Sequence, residues 1–215
     1  MQNLMVEGRS YTDPETIKAI VNVEKNSPLF SLKPSEARKM LEKLSWVKSA
    51  QVERRLPDTL YIRLEERQPF ALWQRNKRLS LIDREGVVLT DHKLRRFDDL
   101  IIIIGDKAPE NAVELLGLLQ AEPSVKERVE VASFVSDRRW DLRLDDGKLV
   151  KLPEKEIGVA LRKLALKHEQ EALLDKAVTS IDLRQSDRIT VGVDPGVSEG
   201  RSDNLKPTSH KAGAI

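Results

Sequence analysis

Apolar and polar residues alternate on both sides of a short polar stretch at residues 179–193, TSIDLRQSDRITVGV. Ile181 and Leu183 mark the first run, and Ile189, Val191 and Val193 the second. Period-two alternation of β-branched residues around a turn predicts a half-buried hairpin. The residues from Asp194 onward are Gly-, Ser- and Lys-rich around Pro195 and Pro207, and their composition is that of a disordered tail over 195–215. They offer no later strand, so the second run is expected to form a sheet edge.

The same reading orders the rest of the chain. A strand around Leu4 and Val6 precedes Thr12-Asp13-Pro14-Glu15, which reads as an N-cap, a helix-first proline and a capping-box glutamate. The helix through Ile17, Ile20 and Val21 is expected to stop at Asn26-Ser27-Pro28, with Phe30 and Leu32 leading to a second helix near Pro34. There Ala37, Met40, Leu41 and Leu44 form an apolar stripe. Strands at 50–55 and 59–66 complete a β-α-α-β-β unit that would place two helices on one face of a three-stranded sheet. Gln68-Pro69 marks a junction, because proline cannot donate to a central ladder.

From Phe70 the pattern becomes strand after strand: 70–74, 78–83, 87–90 and a short buried run at 100–104. A helix around Ala112, Leu115, Leu116 and Leu119 is expected to end at Glu122-Pro123-Ser124. Next come a strand at 129–135, a hairpin of 140–144 and 148–152 about Asp145-Asp146-Gly147, and a long helix from Pro153 carrying Ile157, Ala160, Leu161, Leu164 and Ala165 on one stripe. The fold class is therefore α+β. A first unit spans 1–69, a larger mixed β unit with two or more helices on its sheet spans 70–194, and the tail spans 195–215.

Composition narrows the functional classes. Lys and Arg (37) nearly cancel Asp and Glu (35), and aromatics are 4% of the 215 residues, which argues against a nucleic-acid platform. There are no cysteines, so disulfides and thiolate sites are absent. No apolar run reaches the roughly 20 residues that cross a bilayer, and the start lacks a signal peptide. An exported or anchored protein would carry its targeting segment outside this sequence. His92, His168 and His210 have no spacing that builds a metal site, and no residue is placed as a catalytic base. Gly192–Gly200, GVDPGVSEG, lacks the following helix that a phosphate loop needs. Pairs such as Glu65-Glu66 read as solvated surface. No catalytic residue, cofactor or metal site is expected.

The stretch SPLFSLKPSEARKMLEKLSWVKSAQVERRLPDTLYIRLEERQPFALW, followed by LIDREGVVL, Arg138-Arg139-Trp140-Asp141-Leu142 and Ile181-Asp182-Leu183-Arg184, resembles the FtsQ/DivIB cell-division family. The resemblance covers residues 4–194. It implies a POTRA module followed by the family's β domain, in the periplasmic part of a single-pass protein of the bacterial inner membrane. It also implies a non-enzymatic scaffold that binds the membrane-anchored coiled-coil proteins FtsB and FtsL, with the partner adding as a strand to the last strand of the β domain. Other division proteins would be met through the POTRA module.

Carried onto this chain, the resemblance places the binding edge at Arg188, Ile189, Thr190, Val191, Gly192 and Val193, with Arg184 and Gln185 before it and Arg138 as a second basic contact. Ile189, Val191 and Val193 are expected to face the core, and Thr190 and Gly192 the opposite side. Some relatives carry aromatic residues where this chain has Gln185 and Val193, so backbone pairing would carry more of the affinity here. The alternatives are a POTRA-containing chaperone of outer-membrane protein assembly, distinguished by further POTRA repeats or a barrel, and a cell-wall hydrolase, for which no carboxylate is nominated.

Overall fold

The computed structural model describes residues 3–21 and 33–193. The sequence opens β1 (Asn3–Glu7), α1 (Pro14–Val21), α2 (Pro34–Leu41), β2 (Val47–Arg55) and β3 (Thr59–Glu66). The three strands form one sheet in the order β1-β3-β2, with β1 parallel and β2 antiparallel to β3. Ile17 and Val21 of α1 and Ala37 and Leu41 of α2 bury against Leu60, Ile62 and Leu64. This is the expected β-α-α-β-β unit, with local differences. Asp13 caps α1 by accepting from the Thr16 amide at 2.9 Å, while Glu15 pairs with Lys18 at 2.7 Å instead of closing a capping box. Met40 is half exposed, because Ala37 and Leu41 alone fill the narrow contact of a two-turn helix. β2 begins three residues early, at Val47, through a bulge between Val47 and Ser49. The expected stop at residues 26–28 and the approach through Phe30 and Leu32 lie outside the described residues.

The link from β1 to α1 is tied down by Glu66, at the end of β3. One of its carboxylate oxygens accepts the amides of Ser10 and Tyr11 at 2.7 and 2.8 Å, and the other accepts Thr12 at 2.7 Å. Expected on the surface, Glu66 is 8% exposed, because three otherwise unpaired amides converge on it. Burial opposes its charge, but the amides outweigh that and hold its carboxyl below the ordinary glutamate range.

The remaining elements are β4 (Ala71–Arg75), β5 (Arg78–Ile82), β6 (Val88–Thr90), β7 (Ile102–Ile104), α3 (Ala108–Gln120), α4 (Pro123–Lys126), β8 (Val129–Val135), β9 (Arg139–Leu144), β10 (Leu149–Lys151), α5 (Ile157–Glu171), β11 (Ser180–Asp182) and β12 (Thr190–Gly192). Short 3₁₀ turns occupy Leu94–Phe97 and Leu173–Asp175. The strands form one sheet in the order β12-β11-β10-β9-β8-β7-β4-β5-β6. It is mixed: β4, β7 and β8 run parallel, as do β10 and β11, and the other pairs are antiparallel. Helices α3 and α5 cover one face through Ala112, Leu115, Leu119, Leu161, Leu164 and Ala165 against Ile103, Leu142, Val150 and Ile181.

Pro123, expected only to end a helix, opens α4 at its first turn, where the missing amide costs nothing. α5 starts at Ile157 instead of Pro153, since Glu156 takes a left-handed backbone conformation that breaks the helix before it.

The two sheets meet through an aromatic cluster. Tyr11 stacks on Trp46 with centroids 4.4 Å apart, and Phe97 lies 6.1 and 6.3 Å from them. Beside it, Arg67 bonds Asp83 at 2.6 Å and Glu85 at 2.7 Å, and Lys48 reaches Glu85 at 3.1 Å. Asp83 also accepts the amides of Glu85 and Val87, which is what the LIDREG turn supplies. Replacing Trp46 by alanine is expected to cost about 1–2 kcal/mol, from the lost stack and its apolar area. It should also split urea unfolding into two transitions, one for each sheet. A single transition at unchanged midpoint would show that the cluster contributes nothing.

Candidate functional site

β12 ends the large sheet, so the side of its backbone turned away from β11 has no strand beside it among the described residues. Residues 183–189 connect it to β11, which makes the pair a wide antiparallel return and not a tight hairpin. Ser180, Ile181 and Asp182 stand opposite Gly192, Val191 and Thr190. Ile181 is buried on the helix side of the sheet, so Val191 lies on that side and Thr190 and Gly192 on the other. Gly192 is shaped by its neighbour: a Cβ there would stand 2.5 Å from the Ser180 hydroxyl.

The expectation that Ile189, Val191 and Val193 all pack into the core is corrected. Ile189 is half-buried against it, but Val191 and Val193 are 43% and 51% exposed. They face the helix side, yet the apolar cover ends at Ile181 and Leu183, one strand short of the edge. Two β-branched side chains therefore flank the open backbone in water.

Next to the edge lies a cleft of about 560 Å³ between the Pro153–Glu156 approach to α5 and the loop after β11. The structure brings Arg138, Arg184 and Gln185 together in its wall, with Arg139, Val159 and Lys163. Arg138 pairs with Glu154 at 3.1 Å across an exposed rim. Arg184 clasps Asp182 with Nε and Nη2 at 2.6–3.0 Å, which holds the Asp182 carboxyl below its usual range and the guanidinium above its own. Lys163 donates to the Ser186 carbonyl at 3.1 Å, fixing the loop to α5. Gln185 joins Asp182, Arg184 and Thr190 around a smaller hollow on the polar side. Arg188 is exposed and only 3.7 Å from its neighbour Asp187, so it adds charge without a built contact.

Sequence reasoning missed a polar row on the side away from the helices. Register aligns Ser133, Asp141, Lys151, Asp182 and Thr190 across five strands. Arg139 lies 3.5 Å from Asp141 in the same region. Its signal was present in β9, where Arg139, Asp141 and Arg143 alternate with Trp140, Leu142 and Leu144.

Among the described residues no three His, Asp or Glu side chains gather into a metal-binding group, and no helix is long and apolar enough to cross a membrane. His168 sits on α5 with a buried Nδ1 that has no hydrogen-bond partner among the described residues, and His210 and the tail at 195–215 lie outside them.

Comparison with known proteins bears on this arrangement. The profile of the FtsQ-type POTRA domain matches residues 1–67, and that of the C-terminal region of cell division protein FtsQ/DivIB matches 71–184. The chain belongs to the FtsQ/DivIB cell-division family. It is 38% identical to Cell division protein FtsQ of Rickettsia prowazekii over 188 residues, which is 87% of this chain and 70% of that protein. Against the FtsQ proteins of Bradyrhizobium diazoefficiens and Agrobacterium fabrum it is 34% and 32% identical over 209 and 201 residues. Those alignments take in 97% and 94% of this chain, and 61% and 63% of the relatives. The FtsQ-specific match beyond the POTRA domain separates the chain from POTRA proteins of other kinds.

Proposed function

We propose that this FtsQ-family chain is the periplasmic part of a single-pass inner-membrane protein and acts there as a non-enzymatic scaffold of the division complex. It binds FtsB and FtsL by strand addition to β12 and so links early and late division proteins to septal wall synthesis. The domain limits proposed are 1–69 for the POTRA domain, 70–194 for the β domain and 195–215 for the tail. One observation carries the reading: among the described residues, the last strand of a nine-stranded sheet has no strand on its outer side and is flanked by exposed Val191 and Val193. An open row of amides and carbonyls is a template for a further strand, and side chains on either side select which strand adds.

The partner strand would place apolar residues on the helix side, covering Val191 and Val193, and polar or acidic residues on the other side, near Arg184. Nη1 of Arg184 has no hydrogen bond among the described residues and remains available to a carboxylate. Arg138 would first have to exchange Glu154 for a partner acid, so its contribution should be smaller.

Thr190→Pro removes a donor from β12 and forbids a regular ladder there. Binding of a soluble FtsB fragment, measured by calorimetry, should weaken by about tenfold or more. Val191→Asp is the companion variant, because its half-exposed side chain lets the core stay intact. If both proteins keep the wild-type circular dichroism and bind FtsB unchanged, β12 is not the docking edge.

A further inference from the structure

We propose that the face of the large sheet opposite α3 and α5 carries a second docking groove, one that takes a basic, apolar segment of a partner protein. Its floor is formed by Leu72, Leu79, Leu94, Leu100 and Ile102, and it encloses about 540 Å³. That volume lies within the range of grooves that hold a ligand. These floor residues belong to the small core on the helix-free side, against which Trp46 and Phe97 also pack. Of the floor residues, Leu79, Leu94, Leu100 and Ile102 are only partly buried.

The rim supplies the charge. Asp98, Asp99, Glu127, Glu130 and Asp145 line it with Arg95 and Arg128. Arg128 is held by Asp175 at 2.7 Å, and Glu130 by Arg143 at 3.4 Å. Asp145 spends one oxygen on the Asp146 amide at 2.9 Å. Asp98, Asp99 and Glu127 are exposed and in no ion pair among the described residues, and Arg95 is the single rim cation in the same condition. An apolar floor beneath an excess of unpaired carboxylates favours a ligand with apolar side chains toward the sheet and cations toward the rim.

The groove is separate from the β12 edge. Four strands stand between β12 and β7, the nearest strand of the groove floor, so that floor lies about 24 Å from the edge across the sheet. A strand added at β12 leaves the groove open.

The test is a titration of the whole isotope-labelled chain with two synthetic decapeptides, one alternating Lys and Leu and the other Glu and Leu. The Lys–Leu peptide should shift the amide resonances of Leu79, Leu100 and Ile102 and bind about fivefold or more tightly than its acidic counterpart. The preference should shrink as salt is raised. It should also disappear in the Asp98→Asn, Asp99→Asn double variant, whose exposed substitutions leave the fold unchanged, and weaken in Glu127→Gln. Equal affinity for both peptides overturns the proposal. So does a shift pattern centred on Thr190–Gly192, or a preference that survives in both variants.

Discussion

Gly8→Ala is expected to lower the stability of the chain by about 3 kcal/mol or more, through backbone strain and a close steric contact. Gly8 directly follows β1 at φ +77°, a left-handed conformation, and a Cβ there would stand 1.9 Å from the Leu64 carbonyl oxygen on β3. Neither atom is the end of a flexible side chain, so relief requires β1 to move away from the strand it pairs with. Gly147 provides the control. It also has positive φ, +86°, but nothing lies within 4 Å of its Cβ position, so Gly147→Ala should cost only about 1 kcal/mol. Urea denaturation of the two variants separates the cost of φ from the cost of contact. Equal losses would show that Leu64 yields freely and that close approach at Gly8 is unimportant.

The second large effect is expected at Glu66. Glutamine keeps the size of the side chain but turns an acceptor oxygen into a donor that faces amides. At least one of the amides of Ser10, Tyr11 and Thr12 then loses its partner, at a cost of about 2–3 kcal/mol, given that the bonds are to a charged group. The pH dependence has a definite sign. The folded carboxyl titrates below the unfolded one, whose value is about 4.3, so its stabilisation is complete above that pH and is lost as pH falls through the folded value. The stability gap between wild type and Glu66→Gln should therefore be widest at neutral pH and close on acidification below about pH 4. A gap that stays constant down to pH 3 would mean that the charge on Glu66 is irrelevant and only its shape matters.

Gly8 and Glu66 also mark where the sequence was hard to read. Periodicity located β3 at Thr59–Glu66 because buried and exposed positions alternate from Ile62 to Glu66, and β8 at Val129–Val135 because buried Val129 and Val131 flank exposed Glu130. The β-α-α-β-β order followed from Asp13-Pro14 and Pro34, which start helices for local reasons. Glu66 was invisible because its partners lie more than fifty positions away in the chain, and a buried carboxylate has the same letter as a solvated one. The site divides in the same way. That β12 would be a strand was legible in the alternation of its residues, and its place at an edge was expected from the composition after Asp194, but the exposure of Val191 and Val193 was not legible. Alternation gives the side of the sheet a residue faces, and only the reach of α5 and its neighbours decides whether that side is covered. Arg184 was singled out, but its clasp on Asp182 was not foreseen. The polar row through Asp141 and Lys151 depends on register between strands, which no single segment carries.

The unlike sides of β12 have a consequence for any strand that joins it. With valines on one side and Thr190, Gly192 and the Arg184–Asp182 pair on the other, sliding an incoming strand by one residue would turn its apolar side chains onto charges and its polar ones onto valine. Sliding by two would restore the chemistry but lose much of the overlap with an edge only three residues long. Such an edge would act as a gauge of alignment: one arrangement of an incoming chain would satisfy both sides, and misaligned arrangements would dissociate before they could be consolidated.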